Sequence, residues 1–77
     1  MTKIPFKHQG RHTTTSGEAI IANSHSHGSD MAKSNFLNNG DVRNVKIELL
    51  TIEKNHKIYE CYTDSGSIDY FYFAIQR

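Results

Sequence analysis

The last third of this 77-residue chain alternates apolar and polar residues with the two-residue period of a half-buried β-strand, and that pattern limits the fold more than any other feature. Val45, Ile47 and Leu49 alternate with Lys46 and Glu48. Ile58 to Thr63 and Ser67 to Ile75 are rich in β-branched and aromatic residues, and residues 45–77 hold six of the eight aromatic side chains. The polar stretches Lys54-Asn55-His56-Lys57 and Asp64-Ser65-Gly66-Ser67 separate these runs, and Asn55 and Gly66 tolerate the positive φ of tight turns. Two short connections in succession make antiparallel neighbours, so the tail is expected to form a three-stranded antiparallel meander.

Parity then assigns the faces. Phe71, Phe73 and Ile75 share one side of the last strand; Ile68, Tyr70, Tyr72 and Ala74 share the other. The phenylalanine side is the better core, because a buried tyrosine hydroxyl must find a partner. Leu50 and Ile52 fall on the opposite parity from Val45, Ile47 and Leu49, so both sides of the meander carry apolar atoms and the second side needs a cover. Upstream segments, a second copy of the chain or a binding partner are the three sources of such a cover.

Upstream, Glu18 to Ala22 is a short apolar run after Ser16-Gly17 that fits either a further strand or a helical turn. Ser29 or Asp30 caps a short central helix carrying Met31, Phe36 and Leu37, which stops at Asn38-Asn39-Gly40. Residues 1–16 hold only Ile4, Pro5 and Phe6 as an apolar cluster. Ordering them costs about 1–2 kcal/mol per residue, while burying Ile4 and Phe6 returns roughly 1.5–3 kcal/mol each. They are expected to form a mobile N-terminal arm, unless they add as a strand to a sheet edge or wrap a partner. The expected fold is therefore α+β and mostly β, with a flexible arm over 1–16 and one small β-rich domain over 17–77.

A chain this short makes one domain, and oligomerisation, as in a homodimer, would add stability. The single cysteine, Cys61, excludes an internal disulfide framework and reads as a small buried hydrophobe of a reducing, cytoplasmic environment. No run is apolar enough to span a membrane, and Met1 to Gly10 lacks the apolar stretch of a secretory signal. The net charge of +1 divides into +2 for residues 1–44, from five basic and three acidic groups, and −1 for residues 45–77, from four basic and five acidic groups. Neither half has the basic stripe of a typical nucleic-acid binder.

Catalytic constellations are thin, so no enzyme and no cofactor are expected. Cys61 and His56 lie five residues apart on one strand, roughly 15 Å along it. The five glycines form no phosphate-cradling loop. Histidine is the compositional outlier: His8, His12, His25 and His27 fall within the first 27 positions. On a strand, His25 and His27 would point to one side and form a weak metal-binding pair, to which His12 or Asp30 would have to add ligands. Falling pH would also charge the four histidines together.

The expected function is that of a small protein-binding module of the inhibitor or adaptor type. It would use Tyr62, Tyr70 and Tyr72 as anchors, with Arg77 closing a terminal strand at an open sheet edge. One alternative is a single-stranded nucleic-acid binder, in which the same tyrosines stack bases and Lys46, Lys57, Arg43 and Arg77 track phosphates. The other is a metal-binding protein that uses His25 and His27.

Overall fold

The computed structural model describes residues 2–12, 14–38, 44–63 and 70–77. The elements in chain order are β1 (Lys3–Gln9), β2 (Thr14–Ala22), α1 (His25–Asn38), β3 (Val45–Ile52), β4 (His56–Thr63) and β5 (Phe71–Gln76). The strands form one sheet in the order β1-β2-β5-β4-β3, with α1 packed on one side of it. The fold is α+β and mostly strand.

The C-terminal meander forms as the alternation predicts, with β3 antiparallel to β4 and β4 antiparallel to β5. Its neighbour was not anticipated. β5, expected at a sheet edge, lies in the interior of the sheet, paired in parallel with β2 through Ile20↔Phe73, Ile21↔Ala74 and Ala22↔Ile75. Hairpin logic sees only neighbours in sequence, and this pairing joins strands separated by α1, β3 and β4. A central strand suits Phe73 and Ala74, which lie on opposite faces and are both 0 % exposed. The connection expected at Asp64-Ser65-Gly66-Ser67 lies outside the described residues.

Residues 3–9, expected within a mobile arm, instead form the edge strand β1, in register with β2 from Lys3↔Ile20 to Gln9↔Thr14. The run Glu18 to Ala22 is accordingly the end of a strand. Phe6 explains the docking. It stands opposite Gly17, where a Cβ would lie 3.6 Å from the Phe6 ring, and that ring crosses the glycine to meet Tyr72 at a centroid distance of 4.8 Å. Phe6 is 6 % exposed and covers Ala19, Ile58 and Ala74 on the side of the sheet away from α1. Weighing Ile4 and Phe6 alone omits the backbone ladder and the apolar surface that Phe6 covers in return. An upstream segment therefore supplies part of the cover that the second face of the meander needed.

The helix begins five to six residues earlier than the Ser29 or Asp30 cap predicted. Ser24 is the cap: its Oγ accepts from the His27 N–H at 3.1 Å, and its carbonyl accepts from the Gly28 N–H at 3.0 Å. His27 reaches back, its Nδ1 accepting from the Asn23 N–H at 3.0 Å. The imidazole resembles the Glu or Gln of a capping box but reaches one residue further out, to the residue before the cap. The helix ends at Asn38, where the polar stop was expected.

Gly28, Ala32 and Phe36 recur at i, i+4 and i+8 and are the buried stripe of α1. They meet Ala22, Cys61 and Phe73 in the main core, with Met31, Ile47 and Tyr59 packed around it. Leu37, the third apolar residue named on the expected helix, is exposed and does not join Met31 and Phe36 against the sheet. Gly28 is where the helix comes closest: a Cβ there would lie 2.3 Å from Cδ2 and Cε2 of Phe73. The second cluster, Phe6, Ala19, Ile58 and Ala74 with Ile4, Leu50 and Tyr72, fills the other face. Leu50 reaches it through a β-bulge. Leu49 pairs with Tyr59 and Thr51 with Ile58, so Leu50 is the extra residue, which resolves the mixed parity of β3.

Two substitutions test this packing. Gly28→Ala gains about 1 kcal/mol of helix propensity but overpacks the Phe73 ring by about 1–3 kcal/mol. The expected result is a net loss, seen as a Tm lower by several degrees in thermal denaturation. Phe6→Ala opens the second cluster and is expected to cost about 3–5 kcal/mol in urea unfolding, where a disordered arm would show no effect.

Candidate interaction face

The sheet turns its two faces to different environments. Toward α1 point Phe71, Phe73 and Ile75, as parity predicted, and Phe73 is fully buried there. Away from α1 point Tyr62 of β4, Tyr72 of β5 and Tyr70 just before β5. Tyr59 is the exception among the tyrosines. It faces the helix, stacked on Phe73 at 5.1 Å and 13°, with the His25 ring edge-on at 5.3 Å.

On the open face the rings form a connected path. Tyr62 and Tyr70 are 6.2 Å apart, Tyr70 and Tyr72 are 6.4 Å apart, and Tyr72 meets Phe6 at 4.8 Å. Gly17 and Ala19 on the intervening strand β2 are small enough for Phe6 and Tyr72 to meet above it. Tyr70 is 50 % exposed, whereas Tyr72 is partly buried against Phe6.

Two carboxylates lie beside these rings. Glu48 of β3 stands directly opposite Glu60 of β4, a like-charged cross-strand pair that is unfavourable by itself. Tyrosine hydroxyls serve both acids: Tyr62 donates to Glu48 Oε1 at 2.6 Å, and Tyr72 donates toward Glu60 Oε2 at 3.4 Å. The Glu48 hydrogen bond, then desolvation, raises the Tyr62 pKa above its ordinary value. Burial first, then the Glu60 charge, pushes Tyr72 up to about 12. These phenols therefore serve as neutral hydrogen-bond donors across the physiological range.

The other residues singled out by sequence are scattered. Arg77 lies at the far end of β5 from Tyr70, where its backbone N–H donates to the Asn55 carbonyl at 2.9 Å and its Nη1 to the Glu53 carbonyl at 3.3 Å. It braces the β3-β4 turn and does not join the tyrosines. Lys46 stands opposite Tyr62 on the open face, but Lys57 pairs with Ile75 and so points to the helix side. Arg43 is outside the described residues.

His25 and His27 occupy the first turn of α1 rather than a strand, which corrects the geometry expected of them. Two residues apart on a helix is about 200° around the axis, so the rings diverge. His27 Nδ1 is engaged by Asn23, and His25 packs on Tyr59. Among the described residues no three His, Cys, Asp or Glu side chains come close enough to share a metal ion. Cys61 is buried between sheet and helix, and burial, with the Glu60 charge as a smaller cause, pushes its pKa up to about 12. It is held as a thiol.

Sequence reasoning missed Phe6 as part of this face, and it allowed that Glu48, Glu53, Glu60 and Asp69 could bring carboxylates together across the sheet but read them as a solvated face. The signal for Phe6 was present in the alternation of Ile4, Phe6 and His8 with Lys3, Pro5 and Lys7. Which of the acids meet is set by the β3-β4 register, which places Glu48 opposite Glu60.

Cys61 and Tyr72 both have folded pKa values above their ordinary values of 9.0 and 10.0. Each contributes stability that is fully present below those ordinary values and is lost as pH rises toward 12. Urea unfolding midpoints are therefore expected to fall from about pH 9 upward. In the same titration the Cys61 thiol should stay inert to a thiol reagent at pH 8 until urea unfolds the chain. Comparison with protein-family models, with curated proteins and with solved structures finds no match to this chain, so the reading of this face rests on its own geometry.

Proposed function

We propose that the chain is a small non-enzymatic protein-binding module, of the inhibitor or adaptor type, that engages its partner through the open face bearing Tyr62, Tyr70 and Tyr72. One observation carries this reading: the sheet is covered by α1 on one side only among the described residues, and the other side presents a connected row of partly exposed aromatic rings. Rigid rings with a polar tip provide contact area at little conformational cost, and the hydroxyls of Tyr62 and Tyr72 are already oriented by Glu48 and Glu60. The two carboxylates favour a partner segment that brings basic groups to an apolar stripe. The same carboxylates weaken support for base stacking, since negative charge beside the rings repels phosphate.

Affinity capture from the native host tests the reading with three baits. Wild type and Lys57→Ala, altered on the helix side, are expected to retain the same partner. Tyr70→Ala should keep its circular dichroism spectrum and lose that partner by at least about tenfold, the scale of an aromatic anchor. Equal capture by Tyr70→Ala, or oligonucleotide binding at low salt that falls steeply as salt rises, would count against it.

A further inference from the structure

The two edges of the sheet are unlike. β1 carries Pro5, which has no N–H to offer, between Lys3 and Lys7. Proline and flanking lysines are devices that blunt an edge against pairing. On the other side, β3 runs in unbroken register with β4 from Val45↔Thr63 to Leu49↔Tyr59, and its irregularity begins only after Leu49. No strand lies on the outer side of β3 among the described residues. Val45 and Ile47 pack against the core beneath α1, while Leu49 on the same side is 49 % exposed.

Val45 to Leu49 reads V-K-I-E-L, and this stretch is complementary to itself in the antiparallel sense. With a two-fold axis through Ile47, Lys46 opposes the partner's Glu48, Glu48 opposes the partner's Lys46, and Val45 opposes the partner's Leu49. Opposite charges then face each other on the tyrosine side, and an unbroken apolar row forms on the helix side. Neighbouring registers of the same parity are penalised. Centring the axis on Lys46 sets lysine against lysine, and centring it on Glu48 sets glutamate against glutamate. A one-residue slip places charged side chains opposite apolar ones.

We infer that the β3 edge is a homodimer interface, in which two chains pair antiparallel through Val45–Leu49 about an axis at Ile47 and join their sheets into one. The pairing adds an antiparallel ladder along the outer side of β3 and covers Leu49. Both helices lie on one side of the joined sheet. Tyr62, opposite Lys46, stands one strand in from the seam in each copy, so the two tyrosine faces lie on one side of the joined sheet. This interface shares Glu48 with the proposed partner-binding face, but it is read from the oligomeric state of the chain alone, so its failure and the failure of that reading are distinguishable.

Light scattering on a size-exclusion column, with sedimentation equilibrium from micromolar to millimolar concentration, reads the dimer directly. Lys46→Glu alone and Glu48→Lys alone each place like charges at both symmetry-related positions, and either should weaken the dimer by about tenfold or more. The double variant K46E/E48K restores opposite charges and is expected to dimerise within about threefold of wild type. Hydrogen exchange on the unmodified chain provides an independent readout. Alternate amides of Val45–Leu49 should gain protection as concentration rises, while those of β1 do not. A monomer throughout the range, a dimer indifferent to both single reversals, a double variant as weak as the singles, or protection that leaves β3 unchanged would each overturn the inference.

Discussion

Phe73 has Gly28 of the helix pressed against its ring and Tyr59 of the adjacent strand stacked 5.1 Å away, and this contact joins α1 to two consecutive strands far from it in sequence. It also fixes the height of α1 above the sheet, because a residue larger than glycine at position 28 would meet the ring before the helix could seat. With the helix seated there, Ala32 and Phe36 continue the stripe and Cys61 is closed off beneath them. A glycine inside a helix costs about 1 kcal/mol in propensity, and close packing on a fully buried ring offsets that cost.

The position of β5 follows from the same contact. Its helix-facing phenylalanine and its outward Ala74 are both sealed from water, which an edge strand cannot arrange. β2 completes the sealing through its parallel pairing, and β2 in turn carries β1, whose Phe6 returns across the sheet to Tyr72. The N-terminal strand therefore stays ordered through a chain of contacts that begins under the helix. The two edges of the sheet are treated differently: β1 ends the sheet with Pro5 and lysines, while β3 keeps a regular edge up to its bulge.

One helix covers one side of this sheet, so the fold has two surfaces of different chemistry. The covered side is phenylalanine, alanine and aliphatic carbon. The other side grades from the second apolar cluster, with Phe6 and Ile58, to the tyrosines and their carboxylates. Tyrosine suits this gradient because its ring packs on apolar neighbours while its hydroxyl reaches the acids. The opposed charges of Glu48 and Glu60 are eased by those hydroxyls, so the polar end of the face is part of how β3 and β4 stay in register.

The strands of the meander and the division of phenylalanine from tyrosine were legible in the chain, because a period of two is a local property and each residue's face follows from its neighbours. The existence of a central helix was equally local, although its start was not, since Ser24 and Ser29 offer the same capping chemistry and only the His27 return bond and the seating of Gly28 on Phe73 separate them. The place of β5 in the sheet, the docking of β1 and the meeting of Glu48 with Glu60 were decided by the tertiary structure. Each depends on pairing between residues far apart along the chain, where the free energy comes from shared burial and ladder hydrogen bonds that no single segment possesses.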